Sequence, residues 1–388
     1  MSVIGDGRVD KPAIVFVALQ TRTSANGGIA SLGEILAGLK HYRPIVLTNR
    51  ESAIVGKWRA AGIEVVVVAE HASLGVRRAP LRAVATYWRY HRSILNLLAR
   101  TGARVLHAND PLAYQLSYTA VRQSRTARMV FSIRDTLDPR RIVPRRRFRW
   151  IFGTAAHSFF LSHDMRERWR TVSPIPESLS SVTGSVVDFS RFEASPPPAG
   201  GTKIILLLGI ISPKKGQLHF LTHAAPRLLA AGYEIHLCGD DDPDASDYVR
   251  ACRAVADSLA RPVQFLGYRR DVPELMRAAS IVCVASRYEG LMRSMIEAMA
   301  ACRPVVSTDV CSAQEMLRKP GCEAGLVVPI DYRNEMADAI IRLCNDAKLA
   351  SELGENGSRI ARQLFTAQQV VAVHEQVYDR LELDRARS

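Results

Sequence analysis

Short apolar runs alternate with amphipathic helical stretches along most of this 388-residue chain. The runs Ala13–Leu19 (AIVFVAL), Pro44–Thr48, Glu64–Ala69, Arg104–His107 and Met129–Ile133 read as strands. Helical periodicity fills the gaps at Ile29–Leu39, Ile54–Ala61, Leu81–Arg100 and Leu112–Arg122. A strand that is apolar on both faces must be covered on both, and a helix between consecutive strands supplies the cover and a parallel crossover. The expected fold class is therefore α/β, built on parallel sheets.

The alternation breaks at Val187–Thr202, which holds three consecutive prolines and a Gly-Gly pair. Proline locks φ and lacks the ladder N–H, so this stretch reads as a linker. A second series follows, with strands at Lys203–Leu208, Glu234–Cys238, Val263–Phe265, Ile281–Val284 and Pro304–Thr308. Helices are expected at Gln217–Ala230, Tyr248–Leu259, Val272–Ala279, Ser294–Ala301 and Glu335–Asn345. The predicted organisation is an N-terminal domain (1–190), a linker (191–202), a second domain (203–365) and a C-terminal helix (366–388) packing back on the first domain. Ligands of such sheets sit outside the carboxyl ends of the strands, so the site is expected in the cleft between the domains.

With 47% apolar and 23% charged residues, the composition is that of a globular protein and excludes a disordered or fibrous one. The net charge of +14 points to anionic company. The longest apolar run, Ile204–Ile211, is eight residues, against about 18 for a membrane span. The N-terminus has no apolar core of a secretory signal. All seven cysteines lie at or after Cys238, with no CxxC, and read as buried thiols rather than a disulfide framework or zinc site. The expectation is a cytoplasmic protein, peripheral on the inner face of the membrane.

The most informative stretch is Ser286–Glu315 (SRYEGLMRSMIEAMAACRPVVSTDVCSAQE), which begins where a strand ends. Gly290 permits close backbone approach, and the helix start beyond it offers free N–H groups to a phosphate. Glu289 and Glu297 cannot bind that phosphate; carboxylates there suit sugar hydroxyls. Such a pair fits hydroxyls flanking a diphosphate, as in a nucleotide-sugar. The spacing Ser294-Met-Ile-Glu297 is equally that of a capping box, and spacing leaves both readings open.

The whole stretch resembles the retaining GT-B glycosyltransferases of family four (glycosyl transferases group 1), whose C-terminal domain carries Glu-x7-Glu followed by EAMAxGxPVV. Glu289, Glu297, Ala298-Met299-Ala300, Pro304-Val305-Val306 and Thr308 match in register, and Phe265–Gly290 upstream and Gly325–Pro329 downstream look like the family's flanking segments. The resemblance implies two Rossmann-like, doubly wound domains facing across a cleft. It further implies that Glu289 contacts the donor sugar, Glu297 the ribose, and Gly290-Leu291-Met292 the sugar and diphosphate. At Leu208–Gly216 (LGIISPKKG) it implies that Gly209, Lys214 and Lys215 hold the donor phosphates. The family's arginine in that loop is replaced by Ile210, for which Lys214 or Arg293 would compensate, and its glycines by Cys302 and by Cys311-Ser312. Glu315 aligns with a supporting glutamate.

In the first half, Gly27-Gly28 resembles the family's glycine pair beside the diphosphate. His107, in His107-Ala-Asn109-Asp110-Pro111, resembles a cleft-lining histidine, and Arg134 replaces another. The resemblance thus proposes Glu289, Lys215, His107 and Arg134 as the catalytic set. Arg140–Phe152 interleaves six arginines with Phe148, Trp150 and Phe152. Arg145, Arg146, Arg147, Arg149 and Trp150 are read from this as an exposed membrane or acceptor patch.

The expected function is a metal-independent hexosyltransferase. It takes a nucleoside-diphosphate sugar to a saccharide or lipid-linked acceptor, in polysaccharide or lipopolysaccharide synthesis. An anionic membrane surface is an expected partner; nucleic acid, cofactor and metal are not expected. The alternative is a GT-B scaffold that has lost turnover and binds nucleotide-sugar or a polyanion.

Overall fold

The structure is a computed structural model that describes residues 11–20, 27–68, 80–134, 136, 145–198, 200 and 203–383. Two parallel sheets organise it. The first contains β1 (Ala13–Val17), β2 (Arg43–Thr48), β3 (Glu64–Val67), β4 (Val105–Ala108), β5 (Arg128–Ser132), β6 (His157–Phe160) and β7 (Ser180–Val182), in the order β3-β2-β1-β4-β5-β6-β7. Helices α1 (Gly27–Gly38), α2 (Ala53–Ala60), α3 (Pro80–Thr101), α4 (Pro111–Ser124), α5 (Arg145–Thr154) and α6 (His163–Arg170) accompany it. Strand β1 is buried along its full length, as a run apolar on both faces demands.

The second sheet runs β10 (Gln264–Gly267), β9 (Glu234–Cys238), β8 (Ile204–Leu208), β11 (Ile281–Val284), β12 (Val305–Thr308) and β15 (Gly325–Val328), again all parallel. A small antiparallel hairpin, β13 (Arg318–Lys319) and β14 (Cys322–Glu323), stands apart. The helices here are α7 (Gln217–His223), α8 (Ala225–Ala230), α9 (Ser246–Asp257), α10 (Val272–Ala278), α11 (Arg293–Ala300), α12 (Ala313–Leu317), α13 (Glu335–Asn345) and α14 (Ala347–Leu364). The single helix expected over Gln217–Ala230 is two, because Pro226 has no N–H to continue the ladder.

The last helix, α15 (Ala367–Leu383), lies on α1 and β4 of the first domain. Its Glu375 accepts hydrogen bonds from the Lys40 and His41 N–H groups at 2.7 Å, and Asp379 accepts one from the Tyr42 hydroxyl at 2.6 Å. Strand order reverses between β1 and β4 in one sheet and between β8 and β11 in the other. Loops leaving these strand pairs diverge at their carboxyl ends, which makes each reversal a place for a ligand. All seven cysteines are free thiols.

Candidate active site

The two reversal points meet across the interdomain cleft. From the second domain, β8 leads through Gly209 into the one-turn helix Pro213–Lys215, closed by Gly216 at φ 70°. A Cβ on Gly216 would lie 2.1 Å from the Ala285 carbonyl oxygen, so only glycine fits between this turn and the end of β11. Gln217 braces the turn by donating to the Ile210 carbonyl at 2.9 Å.

This geometry aims Lys215 at Glu289. The Lys215 Nζ lies 2.7 Å from Glu289 Oε1, and Lys214 Nζ lies 3.8 Å from Oε2. Ser286 donates to the same Oε1 at 2.8 Å. Glu289 is only 5% exposed. Burial pushes its carboxyl up, but Lys215, Lys214 and the hydrogen bonds from Lys215 and Ser286 outweigh burial and hold it below the usual carboxylate range. Glu289 is therefore a buried, ionised acceptor. Thr308 fixes the loop by donating to the Ser286 carbonyl at 2.6 Å.

Glu297 behaves differently from the capping-box alternative. Helix α11 starts at Arg293 with Met292 as its cap residue and no side-chain capping bond, so Glu297 sits one turn into the helix. Its carboxylate accepts from Arg293 Nε at 2.8 Å, an i,i+4 ion pair. The other arm of that guanidinium, Nη1, is buried and has no hydrogen-bond partner among the described residues. Arg293 reaches across the cleft: its Cδ is 3.5 Å from where a Cβ on Gly27 would lie. Gly27 and Gly28 open α1, so the amino end of α1 meets Arg293 at the start of α11, four residues beyond the Glu289 that Lys214 and Lys215 hold. Helix amino ends and cations together favour an anion. Sequence reasoning named Arg293 only as a substitute for the arginine missing at Ile210. Its unsatisfied Nη1 is visible only in the fold.

Gly290 is a contact between domains. A Cβ there would lie 2.6 Å from the Arg134 carbonyl oxygen and 2.7 Å from Met165 Cε. Leu291 and Met292 follow it into the core, Met292 buried and Leu291 partly so. Close by, the Ser312 hydroxyl donates to the Gly290 carbonyl at 2.8 Å and lies 2.7 Å from the Ser162 hydroxyl. The Ser312 N–H donates to Asp164 at 2.9 Å, and Glu315 accepts from the His163 and Asp164 N–H groups at 3.1 and 2.9 Å. Glu315 thus caps α6 from the other domain. Ser312 and Cys302 stand at φ 71° and 56°, left-handed positions where glycine is the unstrained residue.

Two expectations are corrected. His107 does not line the cleft. It is 1% exposed, stacked between Phe16 and Phe159, and held by Tyr378 Oη at 2.6 Å and Ser132 Oγ at 2.7 Å. Burial drives its pKa well down, so it is a neutral core residue. The period-2 alternation of β4 turns it inward, whereas Asn109, beyond the strand, meets Arg134 Nε at 2.8 Å. Arg134 therefore stands at the cleft through its carbonyl and Asn109; burial draws its pKa down to about 10. Its neighbour Asp135 lies outside the described residues.

The second correction concerns the basic aromatic patch. Trp150 packs on Tyr114 and Tyr118 at ring distances of 5.6 and 4.7 Å, Phe148 on Trp169 at 4.3 Å, and Phe152 is buried. Helix α5 needed an apolar face to pack on the sheet, and these aromatics supply it. Arg147 is half-buried, and Arg149 donates to the Val172 carbonyl at 3.2 Å; Arg146 and Arg149 remain exposed. The Arg145 side chain and residues 137–144 lie outside the described residues.

The family model described as glycosyl transferases group 1 matches residues 202–346. The phosphatidyl-myo-inositol mannosyltransferase of Mycolicibacterium smegmatis is 27% identical over 307 residues, 74% of this chain and 75% of that protein. The MMP alpha-(1->4)-mannosyltransferase of Mycolicibacterium hassiacum is 28% identical over 190 residues, 46% of this chain and 43% of that one. The match thus takes in less than half of the M. hassiacum protein and three quarters of the M. smegmatis one. A crystal structure of Anabaena HepE in complex with UDP and glucose superposes with a TM-score of 0.77 at 21% identity, over 95% of this chain and 99% of that one. Two facing parallel α/β domains with this cleft define the GT-B fold. Residues 202–346 thus match the glycosyl transferases group 1 family, on a chain with the GT-B fold.

Proposed function

We propose that the protein transfers a hexose from a nucleoside-diphosphate sugar to a saccharide or lipid-linked acceptor, with retention of anomeric configuration and no obligatory metal. The observation that carries this reading is the Lys215–Glu289 pair, together with the unpartnered arm of Arg293 at the start of α11. The cations and helix N–H groups take the diphosphate, and the ionised Glu289 accepts hydrogen bonds from sugar hydroxyls. Glu297, held by Arg293, faces the nucleoside end.

In the transfer, the anomeric carbon–phosphate oxygen bond lengthens first. Lys215, Arg293 and the α11 N–H groups stabilise the charge gathering on the departing diphosphate. The acceptor hydroxyl attacks the same face and its proton passes to a leaving phosphate oxygen, so no protein nucleophile is needed. Gly27 and Gly28 bring the α1 amino end against the diphosphate from the acceptor side. The relatives' mannosyltransferase names, one of them a lipopolysaccharide core enzyme of Rhizobium meliloti, support a setting in cell-envelope polysaccharide or lipopolysaccharide synthesis.

The test is a panel of UDP-, GDP- and ADP-hexoses, scored for binding by calorimetry and for slow hydrolysis with and without EDTA. One donor is expected to bind and turn over, unchanged by EDTA, and to lose both in Lys215→Ala and Glu289→Ala. Failure of every donor to bind sinks the reading; binding without turnover, even when acceptors are added, favours the inactive scaffold.

A further inference from the structure

Helix α3 carries the largest cluster of exposed apolar side chains among the described residues. Leu81 is 85% exposed, Val84 54% and Trp88 53%. Four other large apolar residues are exposed, at Leu179, Tyr268, Leu364 and Leu383, and these are scattered. The spacing 81, 84, 88 places all three on one side of two helical turns. The opposite side of α3 is committed to α4: Tyr90 and Ile94 are buried, and His91 bonds Thr119 at 2.9 Å and Gln123 at 2.8 Å.

The charge around this stripe has one sign. The 22 residues of α3 include no aspartate or glutamate, and Arg82, Arg89 and Arg92 are exposed beside the apolar residues. The asymmetry extends to the whole domain. Residues 1–190 hold 28 Lys and Arg against 13 Asp and Glu, a net of 28 − 13 = +15. Residues 191–388 hold 24 against 25, a net of 24 − 25 = −1. The entire positive excess of the chain therefore sits in the domain that carries α3. A helix with an apolar face flanked by arginines suits the headgroup boundary of an anionic bilayer, where the arginines meet lipid phosphates and the apolar residues enter the acyl edge.

The orientation is also set. Helix α3 returns the chain from β3 to β4, so it runs against the parallel strands and its Leu81 end lies on the side of their carboxyl ends. That is the side of the cleft. No helix of the described residues is long and apolar enough to cross a membrane, so contact through α3 would be interfacial.

We infer that the first two turns of α3 are a docking surface for an anionic lipid membrane, with Leu81, Val84 and Trp88 inserting and Arg82, Arg89 and Arg92 engaging lipid phosphates. The inference does not depend on the donor chemistry and would hold for a protein without turnover.

The experiment sediments the full chain with phosphatidylcholine vesicles with and without 30% phosphatidylglycerol, and follows tryptophan emission. Of the four tryptophans, Trp58 and Trp169 are each 3% exposed, and Trp150 packs on Tyr114 and Tyr118, so a lipid-induced blue shift reports Trp88. Binding is expected only with the anionic vesicles, with a blue shift that Trp88→Phe reduces. Arg89→Gln and Arg92→Gln should each weaken binding about fivefold, and Val84→Ser with Trp88→Ser by tenfold or more. Arg146→Gln with Arg149→Gln on α5 should weaken it less than the α3 variants do. Absence of anionic-vesicle binding overturns the inference. So does loss confined to the α5 variant, or a self-association in ultracentrifugation that the Val84/Trp88 variant abolishes while vesicle binding persists. Unchanged thermal melting of each variant separates lost docking from lost folding.

Discussion

Replacing Gly290 by alanine isolates the contact between the domains. Gly290 does not occupy the left-handed region, so alanine suits its backbone and the second domain tolerates it by itself. The new Cβ would meet the Arg134 carbonyl oxygen at 2.6 Å, well inside van der Waals contact, and a backbone atom cannot rotate away. Met165 Cε, at 2.7 Å, is the end of a flexible chain and can yield. Inserting a methyl group into a packed contact costs about 1–3 kcal/mol. Here it falls on the contact between the domains. At 1.4 kcal/mol per factor of ten, kcat/KM should drop about 5- to 150-fold. The thermal midpoint should stay within a degree or two. Small-angle scattering without donor should show a larger radius of gyration. Gly216→Ala is the contrast, because its clash at 2.1 Å and its φ of 70° lie within one domain and should lower the midpoint itself. A Gly290→Ala protein with full activity and unchanged scattering would refute the assignment of Gly290 to the domain contact.

Three further outcomes follow from named contacts. Arg293→Ala removes a charge-assisted hydrogen bond of about 1.5–3 kcal/mol, so donor Kd by calorimetry should rise roughly 10- to 150-fold, and Arg293→Lys should recover part of it; an unchanged Kd would remove Arg293 from the phosphate site. His107, His157 and His374 are buried, and burial is the main cause that lowers His157 to about 3, His374 to about 4 and His107 well below its ordinary value. The unfolded chain, with histidines near 6.5, binds protons that the folded one refuses, so this stability is present above about pH 6.5 and lost as pH falls. The unfolding free energy from urea titration should drop between pH 7 and 5 by roughly 1–2 kcal/mol per histidine, and a flat profile would contradict the buried neutral cluster. Cys302→Gly should raise the thermal midpoint, because relief of about 1–2 kcal/mol at φ 56° exceeds the 0.4–1 kcal/mol of added chain entropy; a fall would show that the thiol's packing matters more.

The sequence alone determined the two α/β halves, because a strand apolar on both faces and a helix with one apolar stripe are local patterns that one parallel architecture satisfies. It determined as well that Glu289, Gly290 and the Lys214-Lys215 turn belong at strand ends, since glycines and polar residues interrupt the apolar runs there. It did not reveal β6 and β7, which are short and rich in His and Ser and are recognisable only once neighbouring strands pair with them. Direction and partner were decided by the tertiary structure. His107 turned into an aromatic stack, and the α5 aromatics turned inward while Leu81, Val84 and Trp88 stayed outside. Glu297 took Arg293 instead of its own helix cap, and Ser312 and Glu315 reached the first domain. Residue type and spacing state what a side chain can bond. Which bond forms depends on the surface brought opposite it, and that surface comes from chain distant in sequence.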